Sequence, residues 1–188
     1  LESLYEVTAL VARATSLEEL AQEFSKSIMA IAKADGVALR WADHAQRRYL
    51  MLAASGLPGE MVEDEQCLIA GDCFCGTPTP DSALVVIPIR SQPQESVKHC
   101  ARAGFETIVN VPIQTHDRVV GEVSLFFRGH VSPSSAERSL LEALNSHLAG
   151  AMENLRLNAL AREAAVSGER HHLSRELHDS IAQSLAFL

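Results

Sequence analysis

The chain has 188 residues, of which 47% are hydrophobic and 21% charged, which suits one domain with an aliphatic core and an appendage. The net charge of −8 argues against a nucleic-acid surface, which needs clustered lysine and arginine, so we expect no nucleic-acid partner. No apolar run approaches the ~18 residues that cross a bilayer, so we expect the chain not to enter a membrane. It lacks a starting Met and stops within a helical pattern, so we expect it to be part of a longer protein.

The first third of the sequence predicts two helices and two strands. Apolar residues recur every three or four positions over residues 1–33, and Ser16 before an acidic pair predicts an N-cap that divides this region into two helices. The turn signal Asp35–Gly36 precedes candidate strands at 37–41 and 49–54. Residues 60–82 are predicted to be irregular.

The rest of the sequence predicts three further strands and two helices. The strands cover 83–89, 107–113 and 119–127, and a short helix covers 96–103. Residues 136–188 contain no proline, and their leucines recur at three and four positions, which predicts one long helix with an imperfect stretch near Gly168. This order predicts an α+β fold: an antiparallel sheet with flanking helices, followed by a long C-terminal signalling helix.

Four short segments resemble the strand signatures of GAF domains, namely residues 34–38, 53–58, 104–113 and 119–125. The resemblance covers roughly residues 4–152 and implies a sheet with a ligand pocket on one face and terminal helices at a dimer interface. Residues 60–82 depart from the usual pattern, and the signature of cyclic-nucleotide-binding members is missing, so we expect no cyclic nucleotide. A domain that binds nothing and only dimerises and relays stays an alternative.

The four cysteines, Cys67, Cys73, Cys75 and Cys100, are spaced C-x5-C-x-C-x24-C. Four thiolates can complete the coordination of zinc or of an iron–sulfur cluster, and His99 is a further candidate ligand. The spacing matches no standard zinc knuckle. Unliganded cysteines and a thiol switch therefore stay open beside the metal site.

A short polar set near the C-terminus carries the most specific chemistry. His178 and Asp179 are adjacent, and Gln183 lies one helical turn after Asp179, beside an apolar stripe that includes Leu177 and Ile181. A neutral imidazole there can attack the γ-phosphorus of ATP, and a neighbouring carboxylate can orient the ring and accept its proton. A His–Asp pair on a helix is also common on ordinary solvated faces.

The full string from Glu176 to Leu185 resembles the phospho-accepting box of two-component sensor histidine kinases, and in particular that of the Nar-type nitrate/nitrite sensors. The resemblance implies that His178 is phosphorylated, that Asp179 assists as base, and that Gln183 orients water for dephosphorylation of a response regulator. It also implies a homodimer, ATP and Mg²⁺ in a separate kinase domain, and a cytoplasmic position within an inner-membrane sensor. This chain alone is expected to be inactive.

We therefore expect three parts: a GAF-like sensory and relay domain at 1–152, a helical linker at 153–173, and the start of the dimerisation and phosphotransfer helix at 174–188. The expected function is signal relay in an ATP-dependent protein histidine kinase, a transferase, that responds to nitrate or nitrite. The alternative is a redox, metal or iron–sulfur sensing GAF domain that signals through the cysteines. Control of either kind needs a two-state element, for which the stretch around Gly168 is the candidate.

Overall fold

A computed structural model describes the backbone of residues 2–73, 83–115 and 118–186, and the side chains of residues 5–73, 83–115 and 118–166. The chain forms two compact units, residues 1–152 and residues 153–188. The described strands all lie in the first unit, and the last helix begins there and continues as the second. None of the described helices combines the length and apolar character that a bilayer crossing requires.

Two helices precede the sheet, α1 (Glu2–Arg13) and α2 (Leu17–Ala32), and they are divided where the sequence predicts. The Ser16 side chain accepts a hydrogen bond from the Glu19 backbone N–H at 3.1 Å, which caps α2. Lys33 closes α2 in the left-handed conformation, with φ at 52°.

In the described part of the chain, six antiparallel strands form one sheet, which confirms the predicted α+β fold. They are β1 (Gly36–Asp43), β2 (Arg48–Ser55), β3 (Cys67–Ile69), β4 (Val85–Pro88), β5 (Thr107–Gln114) and β6 (Val119–Phe127). Their order is β3-β2-β1-β6-β5-β4, so β1 and β6 are the central pair. The register of this pair places Arg40 opposite Glu122.

The prediction of an irregular segment over residues 60–82 is wrong in its first part. Helix α3 (Gly59–Asp64) and strand β3 occupy most of residues 59–69. Each is too short for a hydrophobic period to become visible, and α3 has Pro58 at its N-cap with no side-chain hydrogen bond there. Residues 74–82 lie outside the described part of the chain.

Between β4 and β5 the chain makes two 3₁₀ turns, Ile89–Ser91 and Gln94–Val97, and then α4 (Lys98–Arg102). Gly104 follows with φ at 79°, the left-handed conformation that ends this helix. The last helix, α5 (Ser135–Ala186), is 52 residues long and agrees with the predicted C-terminal helix. Ser134 and Glu137 form a capping box at its start, with the Glu137 carboxylate 2.7 Å from the Ser134 backbone N.

The sheet has a distinct core on the side of α3 and α4. Ala38 and Ala42 of β1 pack there in one cluster with Met61 of α3 and Cys100 of α4. Because successive side chains of a strand point to opposite faces, Arg40 lies on the same face as Ala38 and Ala42. A charged residue is therefore held inside an apolar layer.

Candidate functional site

The fully buried Arg40 is the centre of a charged cluster on the α3 and α4 face. Its Nη2 donates to Oε2 of Glu65 at 2.5 Å, and its Nη1 donates to Oγ of Ser124 at 3.0 Å. A second carboxylate, Glu122 of β6, has Oε1 3.5 Å from Nη1. The side chains of Arg40 and Glu65 are both 0% exposed, and that of Glu122 is 7% exposed. We call Arg40, Glu65, Glu122 and Ser124 the Arg40 cluster.

The cluster exists because two elements supply charges to one strand. Antiparallel pairing sets Glu122 directly beside Arg40 and Ser124 beside Ala38, on the same face. Glu65 follows α3, and its backbone N–H donates to the Met61 carbonyl at 3.0 Å, which fixes the end of that helix. The short helix thus carries the carboxylate that contacts the guanidinium.

The electrostatics of Glu65 are those of a carboxylate in a dry site. Burial raises the pKa of Glu65 above its ordinary value, and the Arg40 charge opposes this without cancelling it. Cys73 raises the pKa of Glu65 further, and His99 lowers it. The Oε1 atom of Glu65 is buried and has no hydrogen-bond partner among the described residues.

Two further polar residues lie on this face. Tyr49 of β2 is 3% exposed, and burial followed by the Glu122 charge raises the pKa of Tyr49 to about 12, so its phenol stays protonated. Asn110 of β5 pairs in register with Ser124 and is 8% exposed. Among the described residues, the buried polar groups on this face therefore include two carboxylates, a hydroxyl, a phenol and an amide beside the guanidinium.

A cleft lies between α3 and α4, and none of the residues that line it belongs to the Arg40 cluster. It has a volume of about 250 Å³ and is lined by Pro58, Glu60, Met61, Asp64, His99, Arg102 and Ala103. Within it, Nδ1 of His99 lies 3.2 Å from Oδ2 of Asp64. The link between cleft and cluster is one of sequence, because Asp64 in the cleft lining immediately precedes Glu65.

The cysteines fall into different environments. Cys67 is exposed on β3, Cys73 is partly buried against the α3 and α4 core, and Cys100 is 0% exposed within that core. Cys75 lies outside the described residues. Across the described ranges, no group of three or more His, Cys, Asp or Glu side chains is arranged to hold a metal ion. The described thiols alone do not make a metal centre, and the four-cysteine site stays a prediction that depends on Cys75.

Helix α5 runs to Ala186, so its backbone includes the predicted phosphoacceptor residues His178, Asp179 and Gln183. Their side chains are outside the described part of the chain, so their roles stay predictions. His99, the further candidate ligand, pairs with Asp64 instead of a described cysteine.

Sequence reasoning did not find Arg40, Glu65 or Glu122. A usable signal existed for two of them, because Arg40 and Glu122 each lie inside a largely apolar strand that is buried along nearly its whole length. Charged residues are almost never fully buried without a partner, so such interruptions in central strands predict a buried ion pair. No comparable signal marks Glu65, because α3 itself was not predicted.

Comparison with known proteins identifies the fold. No protein-family model matches the chain. The GAF domain of a phosphoenolpyruvate-protein phosphotransferase from Coxiella burnetii superposes with a TM-score of 0.73 at 19% identity, over 85% of this chain and 95% of that one. A domain described as that of a two-component sensor histidine kinase protein from Sinorhizobium meliloti 1021 gives a TM-score of 0.66 at 15% identity, over 79% and 99%. The chain has a GAF-like fold.

One curated protein is also similar in sequence. The sensor histidine kinase YhcY of Bacillus subtilis (strain 168) is 27% identical over 143 residues, which are 73% of this chain and 38% of YhcY. The matched part is therefore well under half of that relative. The GAF-like expectation is confirmed for the fold.

Proposed function

We propose that the chain is the sensory and relay part of a two-component sensor histidine kinase. The observation that carries the proposal is the continuity of α5, which starts in the GAF-like domain at Ser135 and runs without a break to Ala186, past the phospho-accepting string. Similarity to YhcY supports it, because that protein is a sensor histidine kinase. In the full-length kinase that we propose, a conformational change in the GAF-like domain alters the packing of α5 and therefore the position of His178.

The proposed chemistry follows from the residue types. His178 attacks the γ-phosphorus of ATP through a neutral ring nitrogen, and Asp179 orients the ring and accepts the proton from the other nitrogen. The phosphoryl group then passes to an aspartate of a response regulator, and Gln183 orients the water that hydrolyses the regulator's phosphate. ATP and Mg²⁺ belong to a separate kinase domain of the full-length protein.

A homodimer is part of the proposal. In the second unit, Leu157 and Leu160 of α5 lie three positions apart on one side of the helix and are 50% and 48% exposed, respectively. Exposed leucines at this spacing on a long helix are typical of a helix that packs against a partner helix. We propose a second copy of the same helix as that partner, with 153–173 as the linker and 174–188 as the start of the phosphotransfer helix.

The finer assignment is a nitrate- or nitrite-responsive kinase whose chain lies on the cytoplasmic side of an inner-membrane anchor. It is supported by the Nar-type form of the box at His178, Asp179 and Gln183. Addition of nitrate or nitrite to membranes that contain the full-length protein is expected to change labelling of His178. Unchanged labelling would refute this input and leave the kinase proposal intact.

The test of the kinase proposal is phosphorylation of the full-length protein with γ-labelled ATP. We expect His178→Gln to abolish labelling and Asp179→Asn to slow it by about 10²-fold or more, the usual contribution of a general base. His172→Gln, which changes a histidine outside the box in the same helix, is the matched control and should keep labelling. Persistent labelling of His178→Gln would overturn the assignment. Gly168→Ala should shift the balance between kinase and phosphatase activity.

A cysteine-based sensor stays the second candidate, favoured by the position of Cys73, whose thiol raises the pKa of Glu65 in the Arg40 cluster. Iron and sulfide analysis after anaerobic purification tests for a cluster. Replacement of Cys67, Cys73, Cys75 and Cys100 by serine tests whether the signal passes through thiols. Full signalling by this variant would exclude the cysteine-based reading.

A further inference from the structure

We propose that the cleft between α3 and α4 binds a small zwitterion, a molecule with a protonated amine and a carboxylate, such as a free amino acid. Its ammonium group contacts Glu60 of α3, and its carboxylate contacts Arg102 of α4. The role of this ligand as an input rests on the proposed function, because it names the class of molecule that the sensory domain detects. Binding itself does not depend on kinase activity, so the two proposals can fail separately.

The polar side chains of the cleft form two rows, one on each helix. Glu60 and Asp64 lie four positions apart on α3, and His99 and Arg102 lie three positions apart on α4. Residues at these spacings share one side of a helix. Because all four line the same cleft, an acidic row of α3 lies across it from a basic row of α4.

One pair across the cleft is formed and the other is open. Nδ1 of His99 lies 3.2 Å from Oδ2 of Asp64. Among the described residues, neither Glu60 nor Arg102 has an ion-pair or hydrogen-bond partner, although both line the cleft. The cleft therefore presents one carboxylate and one guanidinium, on different helices, for a ligand to contact.

These two groups select the chemical class of the ligand. A carboxylate only accepts hydrogen bonds, and a guanidinium only donates them. An ammonium group can donate to Glu60 while a carboxylate accepts from Arg102, and both contacts are charge-assisted. A simple anion at Arg102 would lie close to the carboxylates of the cleft, and a simple cation at Glu60 would leave the guanidinium without a counter-charge. A molecule with both groups complements both helices.

The size and the apolar lining of the cleft favour a short aliphatic molecule. The volume of about 250 Å³ lies below the roughly 300–1,000 Å³ of pockets for drug-sized ligands. Pro58, Met61 and Ala103 complete the lining, and Met61 is 3% exposed. These side chains give an aliphatic group an apolar surface to cover.

The ligand acts on the Arg40 cluster through α3. Glu65 directly follows this helix and donates no proton but accepts the hydrogen bond from Arg40 at 2.5 Å. A helix of six residues has little stability of its own and depends on its contacts. A zwitterion that joins Glu60 to Arg102 adds a link between α3 and α4, and it therefore restrains the helix that carries Glu65.

The experiment titrates the 188-residue chain with three probes of similar shape: L-leucine, leucinamide hydrochloride and sodium 4-methylpentanoate. Leucinamide keeps the ammonium group without the carboxylate, and 4-methylpentanoate keeps the carboxylate without the ammonium group. At about pH 6.5 the amines stay protonated, and ionic strength is matched throughout. We expect L-leucine to shift the backbone amides of α3 and α4 saturably, and to bind at least about fivefold more tightly than either analogue.

Variants locate the two contacts separately. Glu60→Gln should weaken L-leucine by about fivefold and leave 4-methylpentanoate unchanged, because that probe has no ammonium group. Arg102→Gln should weaken L-leucine to a similar extent and leave leucinamide unchanged. Glu63→Gln and Lys98→Gln change exposed residues of the same helices outside the cleft lining, and these matched controls should bind L-leucine as the wild type does. If one cleft variant does not fold, as judged by its amide spectrum, the other decides.

Three results would overturn the inference: L-leucine does not bind saturably, it binds no more tightly than one of its analogues, or both cleft variants bind it as the wild type does. A variant that merely disturbs the fold would weaken all three probes together. Labelling of His178 in the full-length protein reports on the kinase proposal alone. A chain that binds no zwitterion but belongs to an active kinase therefore refutes only the ligand class.

Discussion

Replacement of Arg40 by methionine tests whether the Arg40 cluster holds the sheet together. Methionine keeps an unbranched, flexible side chain that is shorter than arginine, and it removes the charge and the donors. The change leaves the carboxylates of Glu65 and Glu122 near each other on the buried face without a counter-charge, and Ser124 loses its donor. Removal of one partner from a buried ion pair costs about 3–5 kcal/mol. For a chain of this size, we expect Tm to fall by roughly 10 °C.

Glu65→Gln should be much milder, at about 1–2 kcal/mol, because Glu122 still faces the guanidinium and the glutamine oxygen still accepts a hydrogen bond. The surface control is Arg90→Met. It breaks the ion pair with Glu106, in which the arginine side chain is 81% exposed, and should cost at most about 1 kcal/mol. The order of destabilisation is therefore Arg40→Met, then Glu65→Gln, then Arg90→Met.

Urea unfolding of the chain measures all three free energies of unfolding by linear extrapolation. The deficit of Arg40→Met should shrink as the pH falls, because protonation neutralises the two orphaned carboxylates. Burial raises the pKa of Glu65, so the contribution of this group to stability is complete below the ordinary carboxyl range and is lost as pH rises through the folded value. A loss below about 1 kcal/mol for Arg40→Met, or one equal to that of Glu65→Gln, would refute the reasoning.

Three further changes test other parts of the domain. Gly121→Ala would put a Cβ 2.2 Å from the Arg40 carbonyl oxygen and should lower the free energy of unfolding in urea by about 1–3 kcal/mol. In Gly150→Ala, in α5, the added Cβ meets nothing within 4 Å, so the free energy of unfolding should rise by about 0.5–1 kcal/mol. Equal effects of the two variants would contradict this. Asn145→Ala removes the 2.9 Å hydrogen bond to the Val111 carbonyl and should cost about 1–3 kcal/mol; no change in unfolding would refute an anchoring role. Tyr49→Phe should lose less stability than the wild type between pH 10 and about 12, because the wild-type phenol keeps its proton when folded and releases it when unfolded; parallel curves would contradict this.

Much of the fold could be predicted from the sequence, because most of its helices and strands are long enough to show a hydrophobic periodicity. The apolar pattern of residues 1–33 and the Ser16 cap predict α1 and α2, and the runs at 107–113 and 119–127 lie within β5 and β6. The six-residue α3 and three-residue β3 have no such period, and tertiary packing of Met61 and Leu68 decides their structure.

The candidate site was harder to predict from the sequence, because it depends on which residues come into contact across the sheet. Arg40 and Glu65 are 25 positions apart, and Arg40 and Ser124 are 84 apart, so no local pattern joins them. The cysteines attracted attention through their spacing, yet Cys67 is exposed and Cys100 is buried in the core. Spacing along a chain predicts proximity only where the segment between is short and regular.

The single layer of the sheet gives a physical route from the Arg40 cluster to α5. β6 carries Glu122 toward α3 and Val123 toward the opposite face, because successive side chains alternate. Val123 is the register partner of Val111, whose carbonyl accepts the hydrogen bond from Asn145 of α5. A change in the contacts of Glu65 or Glu122 would therefore act on one face of the strand pair whose backbone anchors α5. Ligand control requires two states that differ in affinity, and the short, uncapped α3 is the element that we expect to differ between them.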